Sequence, residues 1–228
     1  MKISEVFKSC QGEGASAGLP TIFVRLSGCN LYPKSCRWCD TKYAQKCDGR
    51  GMSVEEVVTS VEELTSGQRR VCITGGEPLH QQSELLSLVG YLRFRKYFVE
   101  VFTNSTLLPP AWFFLVDSWI VDVKCPSSSV ADKCLVESWM SVVREKDLVK
   151  FVVANQTDLD YVESVLKEFS THAPVALSPM VPTSGLLTPG ALVLQRKWMQ
   201  VVWNFCVEND YRFSLQVHKT VFGNKRGV

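Results

Sequence analysis

No run of apolar residues in this chain approaches the ~18 needed to cross a bilayer. The richest stretch, Ala111 to Val123, is cut by Asp117 and Asp122. Charge of one sign is equally scarce. The 25 basic and 23 acidic residues leave a formal charge of +2, which gives no electrostatic case for nucleic acid or an anionic membrane as partner. The start of the chain has no apolar core of the secretion-signal kind, since Glu5 and Lys8 interrupt it. No repeat, low-complexity tract or linker is visible. These absences point to a cytosolic protein whose residues 1–228 form one domain. Composition excludes disorder, with 46% apolar and 21% charged residues. Cysteine is what the chain has in plenty. Nine of them, an odd number in a reducing compartment, read as metal ligands or core thiols rather than a disulfide framework.

Short β-branched or aromatic runs alternate with helical patterns. Strands are expected at Thr21–Ser27, Val71–Thr74, Phe98–Thr103, Trp119–Lys124, Val149–Ala154, Pro174–Ser178 and Arg212–Val217. Helices are expected at Ser53–Ser66, from Pro78 to about Arg95, at Asp158–Phe169 and at Ala191–Asn209. Ser53 and Glu56 make a capping-box pattern, and Thr157 and Asp160 suit the start of the third helix. Cys125–Glu145 has no clear period. Strands separated by helices imply right-handed β-α-β units and a mainly parallel sheet. Six or seven strands are too few for a closed eight-stranded barrel, so the fold class is α/β, a partial (open) β/α barrel. Ligands then sit at the carboxyl ends of the strands.

The segments at those ends carry the unusual residues. Cys29, Cys36 and Cys39 form C-x6-C-x2-C after the first expected strand, within a loop at 28–47. Thiolates select zinc or iron–sulfur clusters. With Cys47 as a fourth ligand the cluster of cysteines makes a zinc-binding module; three thiols alone suit a [4Fe–4S] cluster with one iron left open. Gly75-Gly76-Glu77-Pro78 follows the next strand. Glycines there let the backbone approach a ligand, and Glu77 suits an ammonium group.

Taken together, this triad with Trp38 before its last cysteine and the GGEP motif resembles the radical S-adenosylmethionine (SAM) superfamily. The superfamily usually shows C-x3-C-x2-C; the three extra residues fall in the loop Leu31–Ser35, where an insertion costs little. The segment from Glu5 to Gly14 (EVFKSCQGEG), Gly18-Leu19-Pro20, Phe23–Leu26, Cys39-Asp40-Thr41 and Gln216–Lys219 (QVHK) narrow the resemblance to the 7-carboxy-7-deazaguanine synthase family. The resemblance covers about Lys2 to Lys219 and implies conversion of 6-carboxy-5,6,7,8-tetrahydropterin to 7-carboxy-7-deazaguanine with loss of ammonia. It also implies SAM, a [4Fe–4S] cluster and Mg²⁺ as cofactors, an electron donor such as flavodoxin or ferredoxin, and a homodimer.

By the same resemblance Cys29, Cys36 and Cys39 hold the cluster. Trp38, Gly75, Gly76, Glu77, Asn104, Lys124, Ser178, Pro179 and Met180 line the SAM site. Glu13, whose carboxylate can accept the guanidine-like edge of a pterin, Arg25, which can fork onto the substrate carboxylate, and His218 at the end of the last strand are the catalytic set. Cys10, Gln11 and Gly12 offer backbone groups to the ring, and Thr74 faces substrate. Thr41 offers a hydroxyl to Mg²⁺, a cation that prefers oxygen ligands and keeps waters, and Asp40 holds those waters. Plainer readings stand beside these. Glu13 and Arg25 can pair with each other, Thr41 can be a helix cap, Ser178-Pro179 and Asn104 turns, and Met180 core. Cys72, Cys134 and Cys206 read as core thiols, Cys47 and Cys125 are unassigned, and the basic tail Lys219–Arg226 reads as a solvated end. A glycyl-radical activase shares the triad, but QGEG argues against it.

Overall fold

In a computed structural model of the chain, which describes residues 1–181, 189–223 and 225–228, the strands join one nine-stranded sheet. They are β1 (Lys2–Cys10), β2 (Pro20–Leu26), β3 (Arg50–Gly51), β4 (Arg70–Gly75), β5 (Phe98–Thr103), β6 (Ser118–Asp122), β7 (Leu148–Val153), β8 (Val175–Pro179) and β9 (Arg212–Phe213), in the spatial order β3-β1-β2-β4-β5-β6-β7-β8-β9. From β2 to β9 every pairing is parallel; β1 runs antiparallel to both β2 and β3. The edges β3 and β9 do not pair, so the barrel is open as expected, but not for want of strands: there are nine rather than six or seven, because β1 and β3 join the sheet beyond those expected.

The helices α1 (Val54–Leu64), α2 (Gln82–Phe94), α3 (Val136–Met140), α4 (Gln156–Glu168), α5 (Pro189–Asn209) and α6 (Val217–Phe222) fill the connections. The Ser53 capping box forms as its sequence suggests. Ser53 Oγ accepts from Glu56 N at 3.1 Å, and Ser53 N donates to Glu56 Oε2 at 2.6 Å. At α4 the cap is instead Asn155, whose Oδ1 accepts from Asp158 N; Thr157 and Asp160 are the second and fifth residues of the helix. The expected strand Arg212–Val217 stops at Phe213, and Val217 begins α6. His218 is therefore a helix residue, not a strand end. The aperiodic stretch Cys125–Glu145 holds two short 3-10 turns and α3, anchored by Trp139, which packs against Trp119.

Register divides the sheet into two faces with different chemistry. Val24, Ile73, Val101, Val121, Val149, Phe151 and Leu177 point to one face and join the main core under the helices. Phe23, Cys72, Glu100 and Ser118 stand in one row across the other face, and Asp122, Lys150 and Ala176 in another. Central parallel strands are normally apolar on both faces. Here the concave face carries Arg25, Glu100, Asp122 and Lys150, charges that need partners if they are to stay buried.

Candidate active site

A cavity of about 250 Å³ opens on that concave face at the carboxyl ends of the central strands. Its wall brings together the residues singled out from the sequence: Cys10, Gln11, Gly12, Glu13, Arg25, Cys29, Cys36, Trp38, Cys39, Asp40, Thr41, Thr74, Gly75, Gly76, Glu77, Asn104, Lys124 and His218. Ser178, Pro179 and Met180 are not part of this lining. Ser178 and Pro179 end β8, and Ser178 Oγ is buried with no partner among the described residues, beside the cavity residue Val152 across the sheet.

The cysteine loop is fastened to the sheet rather than free. Gly28 N and Cys29 N donate to Ala44 O and Gln45 O, and Asn104 Nδ2 reaches Asn30 Oδ1 at 3.2 Å and Cys29 Sγ at 3.9 Å. Asn104 Oδ1 in turn accepts from Thr106 N and Oγ1. Burial pushes the Cys29 thiol up to about 11 and raises that of Cys36, which Lys124 partly offsets. Such thiols ionise when a metal supplies the positive charge. Cys47 lies elsewhere. It lines a shallow pocket with His80 and Met52 and is absent from the main cavity. Among the described residues no three His, Cys, Asp or Glu side chains are grouped to hold a single ion, and Cys47 does not share the triad's cavity. A cluster, being wider than an ion, bridges ligands that one ion cannot. Gln45 and Asp122 line the same cavity, and Gln45 Nε2 and Asp122 Oδ1 are buried with no partner among the described residues. Three soft donors beside an unmet donor and an unmet acceptor fit an iron–sulfur cluster with a polar ligand next to it.

The GGEP turn has a different physical basis from the one its sequence suggests. A Cβ on Gly75 would lie 2.2 Å from Leu26 O, and one on Gly76 2.2 Å from Gly28 O. The glycines let the turn press against β2 and the start of the cysteine loop, where Gly76 N and Glu77 N donate to Leu26 O and Gly28 O. Glu77, 1% exposed, already accepts from Leu79 N, Thr103 Oγ1 and Asn104 N at 3.1, 2.9 and 2.7 Å. Burial pushes its carboxyl up to about 7 against those three donors. It thus ties the turn to the end of β5.

Glu13 and Arg25 do not pair with each other. Arg25 Nε donates to Glu5 Oε1 at 2.7 Å, and Tyr43 OH donates to the same oxygen at 2.8 Å. Glu13 Oε2 accepts from Lys150 Nζ at 2.6 Å. Gln11 spends its N–H on Leu19 O, its C=O on Gly18 N and its side chain on Glu100 Oε2, so its backbone is not open to a ring edge. Ser16 Oγ donates to the other Glu100 oxygen at 2.9 Å. The buried Glu100 therefore anchors both ends of the QGEG loop.

The QVHK segment packs directly on that loop. Val217 N donates to Gly12 O, and a Cβ on Gly12 would meet His218 Nδ1 at 2.2 Å, so only glycine fits beneath the imidazole. Burial lowers the His218 pKa, with Glu13 and Asp40 pulling the other way. Asp40 pairs with Lys219 at 2.9 Å. Burial opposes its ionisation, but Lys219, with His218 and Arg25, holds it below the usual range. Thr41 precedes a 3-10 turn without capping it; its hydroxyl stands 3.6 Å from Cys39 Sγ. The tail is largely solvent-exposed, as expected, but it also borders the cavity. Lys225 to Val228 line the cavity, and the Arg226 guanidinium lies 3.6 Å from the Tyr43 ring centre.

Sequence reading missed Asp122, Lys150, Glu5, Tyr43 and the tail. The first two had a signal: Lys150 is a charge inside an otherwise apolar central strand (LVKFVV), and Asp122 ends the strand beside it (SWIVD).

Residues 23–123 match the Radical SAM superfamily. The chain is 42% identical to the 7-carboxy-7-deazaguanine synthase of Methanospirillum hungatei over 80% of its own length and 74% of that protein. It is 33% identical to the enzyme of the same name from Clostridium acetobutylicum over 100% of this chain and 99% of that one. Its fold is similar to the crystal structure of QueE from Escherichia coli, with a TM-score of 0.70 at 23% identity over 95% of this chain and 94% of that one.

Proposed function

This chain belongs to the 7-carboxy-7-deazaguanine synthase family of the radical SAM superfamily, and from that premise we propose how its residues share the work. The chain is a lyase that converts 6-carboxy-5,6,7,8-tetrahydropterin to 7-carboxy-7-deazaguanine with release of ammonia. When bound, the cluster and SAM supply a carbon-centred radical able to take a hydrogen atom from substrate.

Cys29, Cys36 and Cys39 hold the cluster, and Trp38, Gly76, Asn104 and Lys124 flank SAM. The glycines of GGEP and the Glu77 carboxylate keep the cluster loop and the SAM wall in register. Ser178, Pro179 and Met180 act from the far end of β8, where the unpartnered Ser178 hydroxyl is the group with bonding capacity to spare. Glu13 accepts the donor edge of the pterin ring. Arg25, braced by Glu5 and Tyr43, takes the substrate carboxylate, and Thr74 stands beside Arg25 across the sheet. His218, whose pKa burial lowers, lies over Gly12, where its ring nitrogens can bond the substrate. Cys10 contributes at the end of β1. Thr41, which lines the cavity with its hydroxyl beside Cys39 Sγ, is the candidate Mg²⁺ ligand, and Asp40 orients the ion's waters while paired to Lys219. The tail excludes water from the mouth, which protects a reactive radical.

A homodimer is supported by exposed apolar side chains on α5, of which Leu192, Trp203 and Val207 share one face of the helix. A cytoplasmic site and a small electron-transfer protein as reductant suit nine free thiols. Among the described residues no helix is long and apolar enough to cross a membrane.

The observation that carries this reading is the convergence of triad, GGEP, QGEG and QVHK on one cavity. Anaerobic incubation of reconstituted protein with reductant, SAM, Mg²⁺ and the carboxytetrahydropterin is expected to yield the deazaguanine and ammonia. An intact cluster that cleaves SAM without that product would overturn the assignment.

A further inference from the structure

Four ionisable side chains meet on the cavity floor, and the reading above leaves two of them without a task. Lys150 stands in the middle of β7 with a side chain only 3% exposed. Its neighbours on the same face, Leu148 and Val152, are apolar, so packing alone does not call for an ammonium there. Nζ lies 2.6 Å from Glu13 Oε2 and 3.6 Å from Asp122 Oδ2. Asp122 opposes Lys150 in the sheet register, and the same Oδ2 takes Lys124 Nζ at 2.9 Å. A buried ammonium survives in such a place only when carboxylates neutralise it. Here it has two, of which one, Glu13, faces the substrate.

We propose that Lys150 is a specificity-determining residue that reads the ring of the substrate. The inference rests on the placement of Glu13 at the pterin edge. Glu13 and Lys150 present an acceptor and a donor side by side. A cyclic lactam presents the complement, an N–H donor next to a C=O acceptor, with N and O roughly 2.3 Å apart on standard bond lengths. The 4-oxopterin edge therefore fits, with N3–H to Glu13 and the C4 carbonyl to Lys150. A 4-amino ring reverses the order. Its bare ring nitrogen meets the carboxylate and its amino group meets the ammonium, so Glu13 and Lys150 lose water to the ring and gain no hydrogen bond from it. Asp122 is the positioning residue. It keeps a countercharge on Lys150 when Glu13 turns to the ligand, and through Lys124 it extends the same chain of charges towards the cofactor side.

The test is equilibrium binding to the anaerobic, cluster-loaded enzyme in the presence of SAM at pH 6.5, where the oxo probe keeps its N3–H, followed by quenching of pteridine fluorescence. The probes are 6-carboxypterin and 2,4-diaminopteridine-6-carboxylate. The native enzyme is expected to prefer the oxo compound by at least about tenfold. In Lys150→Met the preference is expected to fall to within about threefold, chiefly by weaker oxo binding, and Lys150→Gln, which restores a neutral donor, is expected to lie above Lys150→Met. A native enzyme with no preference, or Lys150→Met with the native ratio, overturns the proposal. If Lys150→Met does not fold, the native ratio and that of Lys150→Gln still decide it. Turnover of the natural substrate by an enzyme without the 4-oxo preference would reject the role of Lys150 and leave the family reading intact.

Discussion

Replacing Gly76 by alanine probes how the cofactor turn and the cluster loop depend on each other. The added Cβ would sit 2.2 Å from Gly28 O, 2.5 Å from Gly28 C and 2.7 Å from Ala44 O. All three are backbone atoms, so no side chain can swing aside. Relief requires moving Gly28, the residue before the first cluster cysteine, and that breaks the Glu77 N to Gly28 O bond of 2.9 Å. Overpacking costs about 1–3 kcal/mol and the lost hydrogen bond about 1 kcal/mol, so Gly76→Ala should destabilise the fold by about 2–4 kcal/mol. At 2–4 °C per kcal/mol for a chain of this size, Tm should drop by roughly 4–16 °C. Gly90→Ala is the control, since nothing lies within 4 Å of a Cβ at that position in α2, and alanine should raise helix stability by up to about 1 kcal/mol. The assay is thermal unfolding of the metal-free protein with iron content after reconstitution. Gly76→Ala with native Tm and native iron would refute the argument that the turn and the cysteine loop are interlocked.

Cys36→Ala should lose the cluster and abolish turnover; an active variant would remove Cys36 from the triad. Thr41→Ala should shift the Mg²⁺ dependence of turnover more than SAM cleavage, and an unchanged Mg²⁺ titration would clear Thr41 of that role. Glu100→Ala leaves the buried donors of Gln11 and Ser16 without an acceptor. At about 1–3 kcal/mol for each, it should lower the urea midpoint and raise KM more than it lowers kcat. A variant of native stability would show that the QGEG loop does not depend on Glu100. Burial pushes the Asp122 carboxyl up, but Lys124 and Lys150 outweigh it and hold it below its ordinary 3.8. Its contribution to stability is thus fully present above that value and lost as pH falls through the lower folded value. Asp122→Asn should therefore be less stable than the native protein at pH 7, with a gap that narrows in acid below pH 3.8. A gap that widens there would contradict the ion-pair account.

Local patterns carried much of this architecture. The capping box at Ser53 and the alternation of strands with helices are visible because each depends on residues close in sequence. β1 was harder to see as a strand, since most of its residues are half-buried on both faces and give no clean alternation. β3 has two residues and exists only through its pairing with β1. The end of β9 is set by its neighbour, because the last sheet contact there is Ser214 N to Leu177 O, and that pushes His218 into α6. The motifs marked the cavity because cysteine triads and glycine turns are unusual residues at unusual spacing. Their partners are not motif-like. Glu5 and Tyr43 bracing Arg25, and Arg226 stacked on Tyr43, arise from contacts across the fold that no local window contains. Lys150 and Asp122 were legible in principle, since a charge in a central parallel strand must answer another charge or a ligand.

The account stands most directly on the iron and sulfide bound by the anaerobically reconstituted protein and by its Cys36→Ser and Cys47→Ser variants. It predicts about four of each per chain, the content of one [4Fe–4S] cluster, in the native protein and in Cys47→Ser, with loss in Cys36→Ser. A single tight zinc in the native protein, or a cluster that disappears with Cys47, would contradict it.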